Sequence, residues 1–478
     1  MTKLSAHTLN GGSRTIEAET FDAFRATVGG QIALPGDTEY DEARTVWNAT
    51  VDKRPDLVVR CSGPSDVMQA MRFAREHDLL VAVRAGGHNI AGKAVCNGGM
   101  LIDLSKMRAV RVDRAAKTAW VEPGATLRDF DRETQAFGMT TPVGINSTTG
   151  ISGLTLGGGF GWTTRKFGMS IDNLIAADVV TAEGKMIRAS EKDNAELFWA
   201  LRGGGGNFGI VTGFEFRLHP LGPQVLSGLI VHPLKDAPSL LPEYRKLAAS
   251  APDELSTWVV LRKAPPLPFL PEEWHGKEVM VLAACYAGDM AAGEKALAPI
   301  RKLGRPIADV ISPHPFTGWQ QAFDPLLTPG ARNYWKSHDF AELSDEVLSK
   351  LVDFAGRLPT AECEIFIAHL GGAMGRVPSD ATAYGGRKAA FVMNVHTRWQ
   401  ERSEDKQCIA WAREFYAATR PYAMGTTYVN FLSEDDENLA ATYGPNYARF
   451  AQVKAKFDPN NVFRVNQNIQ PRKPLAAE

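Results

Sequence analysis

The residue whose setting points most directly to chemistry is His88. It follows two glycines in the stretch Arg84-Ala-Gly86-Gly87-His88-Asn89, at the end of a run that reads as a buried strand. Neutral imidazole is a nucleophile near pH 7, and glycine lets the backbone come close to a ligand. Because a lone histidine is more often a packed or solvated residue, the surrounding pattern must decide its role.

Glycine is concentrated around this motif. Half of the 44 glycines lie between Arg84 and Gly213, and 15 of these fall in three clusters at 84–92, 144–161 and 203–209. In such loops successive backbone N–H groups can point the same way and form a nest that binds anions. The three clusters therefore predict a cradle for a long ligand that carries a pyrophosphate.

Two stretches inside the clusters resemble nucleotide motifs but lack the context these require. Residues 87–93 nearly spell a P-loop, yet Ala94 replaces the hydroxyl that holds Mg²⁺, and no helix opens after it. Residues 204–209 fit G-x-G-x-x-G, but a helix precedes them and a strand follows, the reverse of a Rossmann site. Both nucleotide hydrolysis and Rossmann-type NAD binding are therefore disfavoured.

Composition narrows the class of protein further. Lys+Arg number 53 and Asp+Glu 54, so no basic excess suggests nucleic acid or an anionic membrane. No apolar run approaches the roughly 20 residues of a membrane helix, and the start has no apolar signal segment. The five cysteines are scattered and never form CxxC, so no disulfide framework or metal site is indicated. A cytoplasmic enzyme is expected.

The pattern of predicted strands and helices that must position these residues changes near Pro220. Before it, short strands and helices alternate, with Ser65 predicted to cap a helix that runs to about His77. Further strands are predicted at 57–60, 80–84, 100–104, 109–112, 118–122, 173–181, 186–189 and 209–218, and further helices at 127–138 and 195–202.

After Pro220 the strands are longer and glycine is sparser. Strands are predicted at 225–231, 257–261, 278–285, 364–370 and 389–397, and helices at 236–249, 291–303, 345–358 and 404–419. This pattern predicts an α+β layer in which helices cover one face of an antiparallel sheet.

Four motifs in order carry a family resemblance. They are VRAGGHN (83–89), GLTLGGGFGW (153–162), LFWALRGGGGNFGIV (197–211) and FDPNNVFRVNQNI (457–469). The chain thereby resembles the berberine-bridge-enzyme-like branch of the vanillyl-alcohol-oxidase flavoproteins. The resemblance implies an α+β fold with a two-part PCMH-type FAD-binding domain (1–220), a substrate domain (221–420) and a C-terminal segment (421–478) that returns to the FAD domain.

In this family the histidine of the R-x-G-G-H motif bonds covalently to the 8α-methyl group of FAD, which implies that role for His88. Many members have a second link from a cysteine in a stretch like G-x-C-P-T. Here Gly144-Ile-Asn-Ser-Thr148 stands in its place, and the carboxamide of Asn146 is not a comparable nucleophile. A single covalent link to FAD, through His88, is therefore expected.

Other cofactor contacts follow from the same resemblance. The pyrophosphate is expected on the backbone N–H groups of Gly86, Gly87 and Asn89. The remaining expected neighbours of FAD are Arg84, Asn146, Gly150, Gly153, Gly158, Gly161, Ile210, Val211, Asn466 and Gln467.

The expected catalytic base is missing. Family members that oxidise alcohols or sugars often carry Y-x-N-Y, with the second tyrosine as base, but this chain reads Tyr428-Val-Asn430-Phe431. A neutral amine can give up hydride without prior deprotonation, so Phe431 favours a C–N substrate or a base supplied elsewhere. Tyr428 is a candidate for either catalysis or packing.

Other candidates lie around the expected substrate pocket. Asn394 and His396 alternate on one predicted strand and so share a face, as candidates for catalysis or as a satisfied polar face. Trp162 and Lys336 are expected to line the pocket, although a surface position for Lys336 is an equal alternative. Thr149 is small, beside the expected flavin, which favours access of O₂.

The sequence thus predicts an FAD-linked oxidase of a small organic molecule. Hydride would pass to flavin N5 and O₂ would reoxidise the flavin to give H₂O₂, with a C–N compound favoured as substrate. An alcohol or oligosaccharide oxidase, an oxidative tailoring enzyme of secondary metabolism and a non-catalytic flavin-binding protein are the alternatives. No nucleic-acid or membrane partner is expected.

Overall fold

The computed structural model describes residues 3–435 and 439–472, and these residues form five β-sheets. The strands are, in chain order, β1 (Leu4–His7), β2 (Ser13–Ile16), β3 (Gln31–Ala33), β4 (Leu57–Arg60), β5 (Val81–Arg84), β6 (Met100–Asp103), β7 (Val110–Asp113), β8 (Thr118–Val121), β9 (Met139–Thr140), β10 (Leu174–Val180), β11 (Met186–Ser190), β12 (Ile210–Arg217), β13 (His219–Pro220), β14 (Gln224–Pro233), β15 (Leu255–Lys263), β16 (Glu278–Tyr286), β17 (Ala308–Asp309), β18 (Ser312–Pro315), β19 (Arg332–Phe340), β20 (Glu364–His369) and β21 (Phe391–Trp399).

The helices alternate with these strands before residue 220 and cover one sheet after it. They are α1 (Ala18–Thr27), α2 (Tyr40–Arg44), α3 (Pro64–Glu76), α4 (Leu127–Gln135), α5 (Ile151–Leu156), α6 (Thr164–Phe167), α7 (Ala195–Leu201), α8 (Ala237–Ala249), α9 (Met290–Arg301), α10 (Phe316–Trp319), α11 (Asp345–Ala355), α12 (Ala373–Arg376), α13 (Asp405–Thr419), α14 (Leu439–Tyr443) and α15 (Tyr447–Phe457).

A small sheet presents the His88 motif at its edge. Its strand order is β3-β4-β6-β5, and β6 runs parallel to both β4 and β5. The guanidinium of Arg84, the last residue of β5, donates to both oxygens of Asp103 on β6 at 3.1 and 2.7 Å. This buried pair fixes the end of β5, and the glycine loop begins directly after it.

A second, antiparallel sheet has the order β11-β10-β12-β8-β7 and is joined by the end of the chain. The C-terminal helix α15 packs on α7, where the ring of Phe450 lies 5.2 Å from that of Trp199. Ile469 is fully buried in the same apolar core. The C-terminal segment therefore completes the part of the fold that carries the glycine clusters.

The largest sheet, of eight strands, follows the order β17-β14-β16-β15-β20-β21-β19, with β18 also paired to β14. Helices α8, α9, α11 and α13 pack on one of its faces and bury Ile365, Ile367 and Val395. Because side chains alternate along a strand, the residues between them face the other way. Glu364, Phe366, Asn394 and His396 accordingly line a cavity on the opposite face.

The predicted α+β class is confirmed, and most predicted elements are present with ends shifted by a few residues. The capping prediction for Ser65 is wrong, because α3 begins at Pro64 with Gly63 as its N-cap. Proline suits the first helical position, where no N–H is needed. Strand β19 was not predicted. The division into 1–220, 221–420 and 421–478 is kept as a proposal.

Within the described ranges, no helix is both long and apolar enough to cross a bilayer.

A buried carboxyl group in α4 makes the stability of this fold depend on pH. Asp131 is 2% exposed, and Gln320 Nε2 bridges its Oδ2 and the carbonyl of Gly144, each at 3.1 Å. Burial raises the pKa of Asp131 from 3.8 to about 7, against the lowering effect of Gln320. A raised carboxyl pKa stabilises the folded state at low pH, and that contribution is lost as pH rises through the folded pKa.

The substitution Asp131→Asn should therefore remove this group's contribution to the pH dependence of stability. Between pH 3.8 and about 7, the free energy of unfolding of the wild type should fall relative to the variant by up to about 1.4 kcal/mol per pH unit. Urea unfolding at several pH values measures the difference. Asp22→Asn, at an exposed position of α1, is the control, and a difference for Asp131→Asn that is no steeper than that of the control would contradict the assignment.

Candidate functional site

Two glycine clusters touch through their backbones. A Cβ atom on Gly86 would lie 2.5 Å from both the N and the Cα atoms of Gly150, closer than any real Cβ contact. Gly87 follows with φ +69°, a conformation that side chains disfavour. These positions explain why glycine is required here: the loop after β5 is pressed against the start of α5.

The three glycine clusters meet the C-terminal segment and the large sheet around one cavity of about 340 Å³. Most of the predicted cofactor residues line it, namely Gly86, Gly87, His88, Asn89, Asn146, Gly150, Gly153, Ile210, Val211, Asn466 and Gln467. The predicted substrate-side residues Thr149, Asn394, His396, Tyr428 and Phe431 also line it. The cavity therefore brings together two sets of residues that are far apart in sequence.

His88 lies at the wall of this cavity, half-buried between an aromatic ring and a hydroxyl. Its imidazole stacks on Trp47, with ring centroids 5.2 Å apart and planes at 20°. Its Nε2 lies 3.2 Å from Thr148 Oγ1. Burial lowers the pKa of His88 to about 4, although a hydrogen bond of the ring with the backbone of Thr148 opposes this. The ring is therefore neutral near pH 7 and keeps a lone pair.

The third glycine cluster is bound to the C-terminal segment by a buried polar network. Asn207 Nδ2 donates to the carbonyl of Gln467 at 3.0 Å, and the backbone N–H of Ile469 donates to Asn207 Oδ1 at 2.9 Å. Lys454 donates to the carbonyl of Asn207 and pairs with Asp458, and both side chains are fully buried. These bonds hold Asn466 and Gln467 at the cavity.

The groups at the cavity fit FAD. Gly153 and Gly206 line it, and a Cβ at either position would meet nothing within 4 Å, so open space lies beside their backbones. Among the described residues, the backbone N–H groups of 86–89 have no hydrogen-bond partner. Asn466 Oδ1 and Gln467 Nε2 are likewise buried without a partner there. Unpaired backbone donors beside glycine suit a pyrophosphate, and an unpaired amide oxygen and amide nitrogen suit a polar ring edge.

On the opposite wall, a carboxylate holds His396. Glu364 Oε1 lies 3.0 Å from His396 Nδ1, and Arg262 donates to Glu364 Oε2 at 2.7 Å. Burial alone would raise the pKa of Glu364. Arg262, His396 and Arg398 together lower it by more than burial raises it, so the resulting pKa is about 2. A carboxylate only accepts hydrogen bonds, so Nδ1 carries a hydrogen and Nε2 of the neutral ring carries the lone pair.

This lone pair has no competing partner within the described part of the chain. His396 Nε2 and Asn394 Oδ1 are both buried and unpaired there, on the strand face that lines the cavity. Buried polar atoms are normally satisfied. Two unpaired atoms on one wall therefore mark it as a surface for a polar ligand group.

Aromatic rings form most of the remaining wall. Phe431 meets Phe160, Trp335 and Phe366 edge-on, at centroid distances of 5.9, 5.6 and 6.5 Å. Burial raises the pKa of Tyr428 to about 12, and its oxygen accepts hydrogen bonds from Gly159 N–H and Asn430 Nδ2, each at 3.0 Å. Tyr428 therefore keeps its proton near pH 7, and its two accepted hydrogen bonds favour the packing alternative.

Several predicted site residues lie away from the cavity. The guanidinium of Arg84 donates its hydrogen bonds to Asp103 and to the carbonyl of Thr45. Trp162 is buried behind Trp258, on which it stacks at 4.2 Å, so it does not line the pocket.

Lys336 and two glycines also lie elsewhere. Lys336 points to the other side of β19 from Trp335, into a second cavity, and pairs with Asp435 at 3.0 Å. Gly158 and Gly161 do not line the cavity but pack against other parts of the protein. A Cβ on Gly158 would strike Met169, and a Cβ on Gly161 would strike the carbonyl of Val143.

Other residues at the site were not predicted. Glu364 is the last polar residue before an apolar run, and only its pairing with His396 across β20 and β21 reveals its role. Trp47 and Trp335 reach the cavity from segments without a family motif. The alternation of Asn394 and His396 was the one local signal on this wall, and extending it to β20 could have found Glu364.

Comparison with known proteins agrees with this geometry. A family model for an FAD binding domain matches residues 55–190, and one described as berberine and berberine like matches residues 427–470. An FAD-linked oxidoreductase of Dictyostelium discoideum is 32% identical over 94% of this chain and 96% of its own length.

Two solved structures share the fold over almost their whole length. The crystal structure of 6-hydroxy-D-nicotine oxidase from Arthrobacter nicotinovorans superimposes with a TM-score of 0.84 and 27% identity, covering 93% of this chain and 98% of that one. Xylooligosaccharide oxidase from Myceliophthora thermophila, at 23% identity and a TM-score of 0.82, covers 95% and 99% and shows the fold alone.

Fold, cavity and comparisons together define an FAD-dependent oxidoreductase. The chain belongs to the berberine-bridge-enzyme-like family of FAD-linked oxidoreductases.

The open space beside Gly153 gives a test of the cofactor site. In Gly153→Ala the added methyl group would enter the cavity without touching protein, so flavin content should fall. The flavin-free protein should be stabilised slightly, because alanine favours a helix over glycine by roughly 0.5–1 kcal/mol. Flavin absorbance per protein and thermal unfolding measure the two effects. Gly86→Ala is the contrasting variant and should unfold; full flavin content in Gly153→Ala would contradict the site.

Proposed function

We propose that this oxidoreductase is an oxidase of a small amine, with FAD attached covalently through His88 alone. Bound FAD would supply flavin N5 as the hydride acceptor and pass the electrons to O₂ to form H₂O₂. His88 supports the link as a neutral imidazole at the cavity wall. Asn146 supports a single link, because it stands where bicovalent relatives have a thiol.

The observation that carries the choice of an amine is the aromatic wall around Phe431. This position cannot accept a proton, and the rings of Phe160, Trp335 and Phe366 meet it edge-on. Aromatic faces attract cations, and most alkyl amines are protonated near pH 7. Such a wall favours a cyclic or secondary amine over a heavily hydroxylated sugar.

His396 is proposed as the proton acceptor for this substrate. An ammonium group cannot lose hydride until it has lost a proton. The lone pair on His396 Nε2 can take that proton, since Glu364 holds the hydrogen on Nδ1. Asn394 Oδ1 would orient the substrate from the same wall, and Tyr428 would pack beside it.

The relatives support the same class of substrate, with one alternative. The 6-hydroxynicotine acted on by one neighbour contains a cyclic amine. An alcohol or oligosaccharide is the second candidate, favoured by the presence of a base at His396. Thr149 at the cavity is small and supports access of O₂.

A substrate panel tests the proposed function. The purified flavoprotein is mixed without oxygen with secondary and cyclic amines, with their alcohol counterparts and with xylobiose, and bleaching of the flavin is recorded. Readmitting O₂ should restore the colour and release H₂O₂. Fast bleaching by an amine supports the proposal. Reduction only by alcohols or sugars would show that the substrate is an alcohol or a sugar and not an amine. A flavin that no compound reduces would indicate a flavin-binding protein without turnover.

Covalent attachment predicts where the colour goes on acid precipitation. The flavin should stay with the wild-type precipitate and pass to the supernatant in His88→Ala, because the only link is lost. Absorbance of the two fractions measures this. Wild-type colour that leaves with the supernatant would refute the link, and His396→Ala is a matched control that should retain it.

Removal of the proposed base should slow flavin reduction. In His396→Ala the rate constant should fall by about 10²–10⁴, the usual worth of a general base, with the flavin content unchanged. Stopped-flow reduction across pH separates the substrate classes. With an amine, the rate of the variant should recover at high pH, because solution then supplies the neutral amine; with an alcohol it should not. An unchanged rate would remove His396 from the mechanism.

A further inference from the structure

One row across four neighbouring strands of the large sheet holds Arg262, Glu364, His396 and Trp335. Arg262 on β15 is the register partner of Glu364 on β20, and Glu364 is the register partner of His396 on β21. We propose that Arg262 is a positioning residue that keeps His396 free of a second proton near pH 7. This inference rests on the proposed role of His396 as proton acceptor, and it adds the residue that makes this role available at neutral pH.

The ion pair between Arg262 and Glu364 is close and shielded from water. Arg262 Nη1 donates to Glu364 Oε2 at 2.7 Å. Only 11% of the Arg262 side chain and 14% of the Glu364 side chain are exposed, so little water screens the two charges. Burial alone would raise the pKa of Glu364, and the charge of Arg262 is the largest single effect in the opposite direction. Glu364 therefore stays ionised, with its charge balanced by Arg262.

The number of protons held by Glu364 and His396 together decides whether His396 can accept another. One proton lies between Glu364 Oε1 and His396 Nδ1, which are 3.0 Å apart. With that proton alone, His396 Nε2 keeps its lone pair. A second proton places a hydrogen on Nε2, whether the first lies nearer to the oxygen or to the nitrogen. His396 can therefore act as a base only while the pair holds a single proton.

Arg262 sets the cost of that second proton. With one proton on the pair, the charges of Arg262 and Glu364 cancel and the row is neutral. A second proton would then leave one uncompensated positive charge in a buried place, which burial disfavours. Without Arg262 the same proton would neutralise a buried carboxylate and would be favoured. Arg262 therefore lowers the affinity of the pair for the second proton.

The nearest other cation cannot replace Arg262. Arg398 is the next residue on this face of β21, and its Nε donates to Glu362 at 2.9 Å. The charge of Arg398 is therefore balanced by a carboxylate of its own. On the other side of His396, the ring of Trp335 lies edge-on at 4.4 Å and has no charge.

The other titratable groups that line the cavity add no net charge near pH 7. Lys93 lies 3.8 Å from Glu434, which balances it. His88 is neutral, because burial lowers its pKa to about 4. Burial raises the pKa of Tyr428 to about 12 and also raises that of Tyr443, so both phenols keep their protons.

The row is suited to a proton transfer that must also reverse. In the proposed step an N–H bond of the substrate ammonium breaks and an N–H bond forms at His396 Nε2, so one positive charge passes from the substrate to the row. Glu364 stabilises the resulting imidazolium. Arg262 limits this stabilisation, so His396 is not already protonated before the substrate arrives and can release the proton afterwards. A base works best when its affinity for protons matches the working pH.

The pH dependence of flavin reduction tests the inference in the purified flavoprotein. Arg262→Met removes the charge and Arg262→Lys keeps it, and stopped-flow reduction by one amine that bleaches the flavin compares both with the wild type. In Arg262→Met the pH of half-maximal rate should rise by about one unit, the lower end of what one neighbouring charge does to a titrating group. Above that pH the rate should return to the wild-type value, because the lone pair is restored.

Two controls separate charge from structure. Arg262→Lys should keep the wild-type pH profile. Arg357→Met removes a cation that is paired with Glu414 on α13, away from the cavity, and should also leave the profile unchanged. A rate that falls equally at every pH in Arg262→Met would show a structural role alone and would overturn the inference.

NMR of the flavoprotein with ¹⁵N-labelled histidine follows the proton without any substrate. His396→Ala identifies the signals of the His396 ring, and the pH at which Nε2 gains a hydrogen should be about one unit higher in Arg262→Met than in the wild type. A titration that Arg262→Met leaves in place would overturn the inference. A wild-type reduction rate in His396→Ala would instead remove His396 from the proposed function, and the NMR titration would still decide whether Arg262 sets the charge of its ring.

Discussion

The backbone contact between Gly86 and Gly150 is the constraint on which the site depends. No side chain fits between them, since a Cβ on either would lie within about 2.7 Å of the other's backbone. This contact joins the loop after β5, which belongs to the small sheet, to the start of α5, which packs in the core of the second sheet. His88, Asn146 and Gly153 consequently surround one cavity. The buried Arg84–Asp103 pair holds the strand end from which the loop departs, and the Asn207 network closes the cavity with the C-terminal segment.

The large sheet supplies the other wall through simple alternation. Every second residue of β20 and β21 packs under helices, and those between face the cavity. Arg262 balances the charge of Glu364, and Glu364 orients His396, so the wall presents one unpaired ring nitrogen among aromatic rings. The proposed hydride transfer would benefit from such surroundings, because aromatic rings limit contact with water and few polar atoms would compete for the substrate. The two walls therefore differ in kind: backbone donors on one, rings and a directed lone pair on the other.

Local sequence patterns predicted most of the cavity wall formed by the glycine clusters and the C-terminal segment, but less of the wall formed by β20 and β21. Glycine clusters, the His88 motif and the C-terminal motif are local, so their residues could be identified one by one. Glu364 and Trp335 act through strand pairing with residues more than 30 positions away, which no local pattern contains. Lys336 and Trp162 were misplaced because one step along a strand reverses the face, and because a residue after a turn can pack inward.

The central claim is that a single cavity holds the flavin between the glycine clusters and the strand face, tied at one atom. A crystal structure of the flavoprotein as purified tests this most directly. The account predicts continuous density from the His88 imidazole to the 8α-carbon, no link at Asn146, and the flavin ring between Gly153 on one side and Asn394 and His396 on the other. A flavin bound elsewhere, or an unlinked His88 beside it, would contradict the account.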